Sequence, residues 1–171
     1  MSQAETILKE FKQSKNILVL TENGLQFKRF TYNNNYTLLI DFLRLDQISS
    51  ELLALKVTGK ELSSLLASRD KLEEFADSCC QRITYLPENF RIVELDAQNR
   101  QAQIRSYPPY TTQSKRIYFE IVLNALEGSL RLSRKSWERS TNAINEISFV
   151  LPDELCIRLI SDLIDPFISP N

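Results

Sequence analysis

The sequence predicts an α+β fold in which antiparallel strands followed by one helix occur twice, as units of about residues 16–82 and 90–168 within a single domain spanning 1–171. Three observations carry this. Short apolar runs with twofold alternation flank turn dipeptides such as Asn23-Gly24 and Glu127-Gly128. At "KVTGKEL" and "FVLPDEL" a strand-like run passes directly into a helix start. Each start leads into apolar residues spaced by three and four, the period of a helix with one buried face.

The chain opens on a short amphipathic segment in which Ile7, Leu8 and Phe11 share a helix face. "NILVLTENGLQFKRFTY" then gives two extended runs around Asn23-Gly24, where both residues tolerate the positive φ of a two-residue turn. A second turn is expected at "NNN", residues 33–35, before "YTLLIDFLRL" at 36–45. That strand is apolar on both faces, so it should lie centrally or be covered on both sides. "SSELLALKV" at 49–57 fits either a strand or an early helix by periodicity alone. Thr58 followed by Glu61 has the spacing of a capping box, which predicts a helix from about Gly59 and makes the preceding run extended. Leu62, Leu65, Leu66, Leu72, Phe75, Ala76 and Cys79 form its apolar stripe.

In the second half, "FRIVELD" at 90–96 and "QAQIRSY" at 101–107 flank the turn "AQNR". "RIYFEIVL" at 116–123 and "SLRLSRK" at 129–135 follow, then a polar insert, "SWERSTNAINE", before the strand "ISFVL" at 147–151. Pro152 and Asp153 suit a helix start, because proline has no N–H to leave unpaired there and aspartate favours the positive end of the helix dipole. Leu155, Leu159, Leu163 and Phe167 make the inner face, with Pro166 expected at its end. The connection "YLPENF" is too short to separate domains.

Composition narrows the chemistry. With 43% hydrophobic and 25% charged residues the chain has neither a disordered nor a membrane composition, and its apolar runs are too short to span a bilayer. The charged N-terminal segment lacks the pattern of a secretory signal, and three cysteines make a poor disulfide framework, so a cytoplasmic location is expected. Cys79, Cys80 and Cys156 read as small buried fillers. Histidine is absent, which removes Ser-His-Asp and Cys-His nucleophile activation and every imidazole zinc site. The three glycines, Gly24, Gly59 and Gly128, form no phosphate-cradling motif. The expectation is a non-enzymatic protein with no catalytic residues, no cofactor and no metal.

"LKVTGKELSSLLASRDKLEEFADS", "RIYFEIVLNALEGSLRL" and "ISFVLPDELCIRLISDLIDPFI" together resemble the strand-turn-helix, the later hairpin and the closing strand and helix of the Whirly family, in the transcriptional-coactivator fold group. The resemblance covers about residues 16–168. It implies single-stranded DNA binding and homo-oligomers, tetramers in that family, built through the helices. The family's Lys-Gly-Lys-Ala-Ala-Leu segment has no counterpart in "NILVLTENGLQFKRF", so none of its DNA-contacting residues carries over.

A binding surface must therefore come from the residues themselves. Net charge is −1, which gives no global basic excess, yet residues 100–137 hold seven basic against two acidic side chains, a local +5. Strand alternation sets Arg105 and Tyr107 on one outward face, Arg116 and Tyr118 on the next, and Arg131 on the third; Lys115, Arg134 and Lys135 extend the basic run. Lys28 and Arg29, between Phe27 and Phe30, form a second candidate. Cations interleaved with aromatics suit a single-stranded nucleic acid, cations for phosphate and rings for bases. They equally suit the solvated side of any half-buried sheet. Trp137 reads as an anchor for the polar insert. The competing function is a protein-protein interaction module or assembly factor, with the basic 100–137 region pairing with the acidic C-terminal helix of another copy or partner.

Overall fold

The computed structural model describes residues 1–13, 20–22, 25–32 and 36–168, with residues 20–32, Glu61, Leu65 and 166–168 described by their backbone alone. The described residues form four helices and eleven strands: α1 (Gln3–Gln13), β1 (Leu20–Glu22), β2 (Leu25–Tyr32), β3 (Tyr36–Leu45), β4 (Ser49–Gly59), α2 (Lys60–Leu65), α3 (Arg69–Arg82), β5 (Asn89–Asp96), β6 (Gln101–Tyr107), β7 (Tyr110–Thr111), β8 (Lys115–Asn124), β9 (Ser129–Glu138), β10 (Ala143–Ile147), β11 (Phe149–Pro152) and α4 (Asp153–Ile168). Among them no helix is long and apolar enough to cross a membrane.

The fold is α+β with one antiparallel sheet in the order β1-β2-β3-β4-β9-β8-β6-β5. The two halves share this one sheet, since β4 pairs with β9 from Thr58↔Ser129 to Ala54↔Ser133. Gly128 closes this joint. Its carbonyl oxygen accepts from Gly59 N at 2.9 Å, its φ is +65°, and a Cβ there would lie 2.6 Å from Gly59 O. Beyond Ala54↔Ser133 the two strands diverge. The chain of β10 and β11 enters the fork, β10 continuing along β9 from Ile147↔Arg134 and β11 lying along β4 from Phe149↔Leu52.

One face of the sheet carries the core. Leu38, Ile40, Leu52, Leu55, Val57, Ile104, Ile121, Leu123 and Leu132 are all fully buried there. Ile7 and Phe11 of α1 and Leu159, Ile160 and Leu163 of α4 join the same cluster, each at 0% exposure. Of the helical leucines, Leu62, Leu66, Leu72, Leu159 and Leu163 are buried in the chain's own core, while the side chains of Leu65 and Phe167 lie outside the described residues.

Residues 49–57 are strand, part of β4, held between β3 and β9, as the expected helix start near Gly59 implied. Other expectations are corrected. The single helix expected from Gly59 is two: Leu66 ends α2, and Ser68 starts α3 with its hydroxyl accepting from Lys71 N. The capping box fails because Thr58 remains in β4, paired with Thr37 and Ser129, while the N-cap position falls to Gly59 and has no side-chain hydrogen bond. The polar insert is mostly strand: β9 runs to Glu138 and β10 returns from Ala143. α4 starts at Asp153, as expected, and extends two residues past Pro166. Asn23-Gly24, the 33–35 turn and the start of the first strand before Leu20 lie outside the described residues.

Candidate nucleic-acid interface

The sheet face opposite the helices presents the odd-numbered side chains of β9 and the even-numbered ones of β8. The register lines them up across strands: Arg105 opposite Glu120, Glu120 opposite Ser133, and Val122 opposite Arg131. This face is where the sequence places its cations, and most of them are neutralised. Arg131 donates through both guanidinium nitrogens to Glu146, at 2.8 and 2.7 Å, and Lys135 donates to the same carboxylate at 2.9 Å. Arg131 also lies 3.8 Å from Asp41. Arg105 donates to Glu120 at 2.7 Å, Lys56 to Glu127 at 2.5 Å, and Lys115 sits 3.1 Å from Glu138.

Burial would raise the Glu146 carboxyl, but hydrogen bonds from Arg131 and Lys135 outweigh it and hold the group down to about 2. Asp41 goes the other way: burial pushes it up to about 6, since the 3.8 Å contact with Arg131 replaces too little of its hydration. One of its oxygens is buried without a hydrogen-bond partner. A phosphate approaching Arg131 or Lys135 would have to displace a carboxylate that is bound better than water.

The residues named from the sequence therefore divide. Arg131, Lys135 and Arg105 are on the face but engaged with carboxylates, and Lys115, odd-numbered on β8, pairs with Glu138 on the other parity. Tyr118, expected as a stacking ring, is only 7% exposed, with the Arg105 guanidinium 5.0 Å from its centroid. Arg134 is corrected outright: it shares the core-side parity of Leu130 and Leu132, opposite Phe119 and Ile147, with its guanidinium 4.9 Å from the Phe119 ring. The alternation within "SLRLSRK" already carried that signal. Lys28 and Arg29 lie on β2 opposite Ile40 and Leu39, and their side chains are outside the described residues.

What remains open is the β5 edge of the face and the end of β8 and β9 beyond the fork. Tyr107 is 49% exposed, and the Arg91 guanidinium carbon lies 3.4 Å from its ring centroid. Across the sheet, Arg116 stands opposite Trp137 and over its ring at 5.1 Å. Among the described residues, neither Arg91 nor Arg116 has a carboxylate within ion-pair distance. Arg91 escaped the sequence reading because "FRIVELD" surrounds it with acidic residues. Trp137 does anchor the former insert, its indole N–H donating to Asn142 at 2.8 Å across the β9–β10 turn. The ring it presents to Arg116 is a second role.

Comparison of the chain with protein-family models, with curated proteins and with solved structures returns no match. Among the described residues no group of three His, Cys, Asp or Glu gathers as metal ligands.

Proposed function

We propose that this protein is a non-enzymatic single-stranded nucleic-acid-binding protein of Whirly-like type, whose contact surface is the open part of the sheet face rather than the whole face. The observation that carries the reading is the pairing of Arg91 with Tyr107 and of Arg116 with Trp137, two cation-ring plates lacking carboxylate partners among the described residues, on a face where Arg105, Arg131 and Lys135 are paired. A base stacks on a guanidinium plane or on a ring, and the same cation reaches the neighbouring phosphate. Free thiols at Cys79, Cys80 and Cys156 fit a reducing compartment, hence the cytoplasm.

Trp137 is the sole tryptophan, so its fluorescence reports on contact directly. Titration with a short oligothymidylate at about 50 mM salt should quench it, and the binding constant should fall with salt. Two phosphate contacts on a single strand give a slope of about −1.4 in log K against log salt, whereas all eight cations named from the sequence would give about −5.6. Absence of quenching at micromolar protein removes the reading. A steep slope returns the binding to the whole face.

A protein-docking module is the second reading, favoured by a separate observation. Ile48 and Val150 are 79% and 58% exposed around the start of β4 and β11, a site for a partner or a second copy. Sedimentation as a strict monomer with no partner recovered counts against it.

A further inference from the structure

Beside the Arg116–Trp137 plate, and sharing those two residues, lies a small cleft outside the core, in which, among the described residues, only Lys115 is tied into an ion pair. It has a volume of about 90 Å³ and is lined by the 111–114 turn on one side and by Lys115, Arg116, Trp137 and Arg139 on the other. Its walls are pinned. Arg139 N donates to Ser114 O at 2.9 Å, and Thr112 and Lys115 close the turn with a backbone hydrogen bond at 2.9 Å and a hydroxyl-accepted one at 3.0 Å. Thr111 donates its hydroxyl to Pro109 O. Among the described residues, the Arg139 guanidinium, the Ser114 hydroxyl and the Gln113 amide make no hydrogen bond.

Size and charge together select an occupant. At about 90 Å³ the cleft is well below the size of a drug-sized ligand site and has room for a small oxyanion. Lys115, Arg116 and Arg139 contribute three positive charges, and Glu138, 3.1 Å from Lys115, removes one, leaving +2. A phosphate diester carries one negative charge; a monoester carries nearly two at neutral pH. Resting on the nucleic-acid reading above, the structure assigns this cleft to the terminal phosphate of a bound strand, with the adjoining base on the Arg116–Trp137 plate. Fixed walls and donors with no internal partner make it a preorganised site, in which the ligand supplies the missing acceptors.

The test compares one oligothymidylate in hydroxyl-ended and phosphate-ended forms, followed by Trp137 fluorescence and by anisotropy of a labelled strand. The terminal phosphate is expected to tighten binding about tenfold, the equivalent of one charge-assisted hydrogen bond. Arg139→Gln is expected to abolish that increment while leaving the hydroxyl-ended strand bound as before, because Arg139 is exposed and lies outside the two plates. Lys115→Gln is the second variant, expected to reduce the increment in the same direction. Equal affinity for both oligonucleotides overturns the subsite and leaves the nucleic-acid reading standing; no binding of either overturns both. An increment that survives in both variants refutes its assignment to this cleft. A phosphoserine peptide that binds as tightly as the phosphorylated strand refutes a nucleic-acid end as the occupant.

Discussion

Replacing Asp41 with Asn should stabilise the protein at neutral pH, against the usual cost of deleting a charge from a network. Asp41 is 15% exposed, 3.8 Å from Arg131, and has one oxygen with no hydrogen-bond partner. Burial lifts it from 3.8 to about 6, so within this window the folded chain holds a proton that the unfolded chain has lost. Stability attributable to the group is complete below about pH 4 and falls as pH rises through 6. The gap of about two pH units sets an upper bound of ~3 kcal/mol. Screening on a partly open sheet face reduces this to about 1–2 kcal/mol. Urea melts of both proteins from about pH 4 to 8 measure it. Asp41→Asn should match the parent near pH 4, gain about 1–2 kcal/mol by pH 7, and show no slope from this site between them. A variant less stable than the parent at pH 7 would mean that the Arg131 contact outweighs burial, and the reasoning fails.

Glu146 should behave in the opposite sense. Held down to about 2, it contributes stability above its ordinary value of 4.5 that is lost as pH falls toward 2, and Glu146→Gln should cost about 2 kcal/mol at neutral pH and blunt acid unfolding. Gly128→Ala should cost about 2 kcal/mol or more in thermal or urea melts, since a Cβ meets Gly59 O at 2.6 Å on a residue already at φ +65°. In the folded protein an aromatic disulfide reagent should modify half-buried Cys80 first, because burial pushes Cys79 and Cys156 up to about 12; equal rates for the three refute the packing described.

The fold was legible wherever one residue's neighbours in sequence were also its deciding neighbours in space. β3 and β8 show their apolar runs, α1 shows its buried triad, and α4 shows its start, because each pattern is local. β4 was ambiguous for a physical reason: its burial alternates but slips by one residue at Ala54 and Leu55, where a bulge leaves Leu53 out of the β3 register, and the slip breaks the twofold pattern in so short a run. The insert misled because Glu146 and Arg131 look like solvent-facing charges until the β9–β10 register sets Glu146 opposite Lys135. The candidate site was half legible for the same reason. Alternation correctly put Arg105, Tyr107, Arg116, Tyr118 and Arg131 on one face. Which of them are free depends on acids that arrive from other strands, Glu120 for Arg105 and Glu146 for Arg131.

The fork between β4 and β9 gives this division a structural cause. Where two paired strands diverge, their outward side chains lose a neighbour on one edge, and the entering β10 must be held by something other than the full ladder of both strands. Glu146 does this by binding Arg131 and Lys135, which belong to β9 on either side of the point where β4 leaves it. The cations at the fork are thus committed to topology, while Arg116, past it, and Arg91, on the far edge strand β5, have no such duty. The two sets should separate in one experiment. Arg131→Met, which keeps much of the apolar stem, should lower stability by about 2 kcal/mol and leave oligothymidylate affinity within about twofold. Arg116→Met should leave stability within about 0.5 kcal/mol and weaken binding about tenfold. The double variant should show both losses added, because the residues share no partner. If Arg131→Met weakens binding as much as Arg116→Met does, the network yields to the ligand, and the whole face must be counted as its surface.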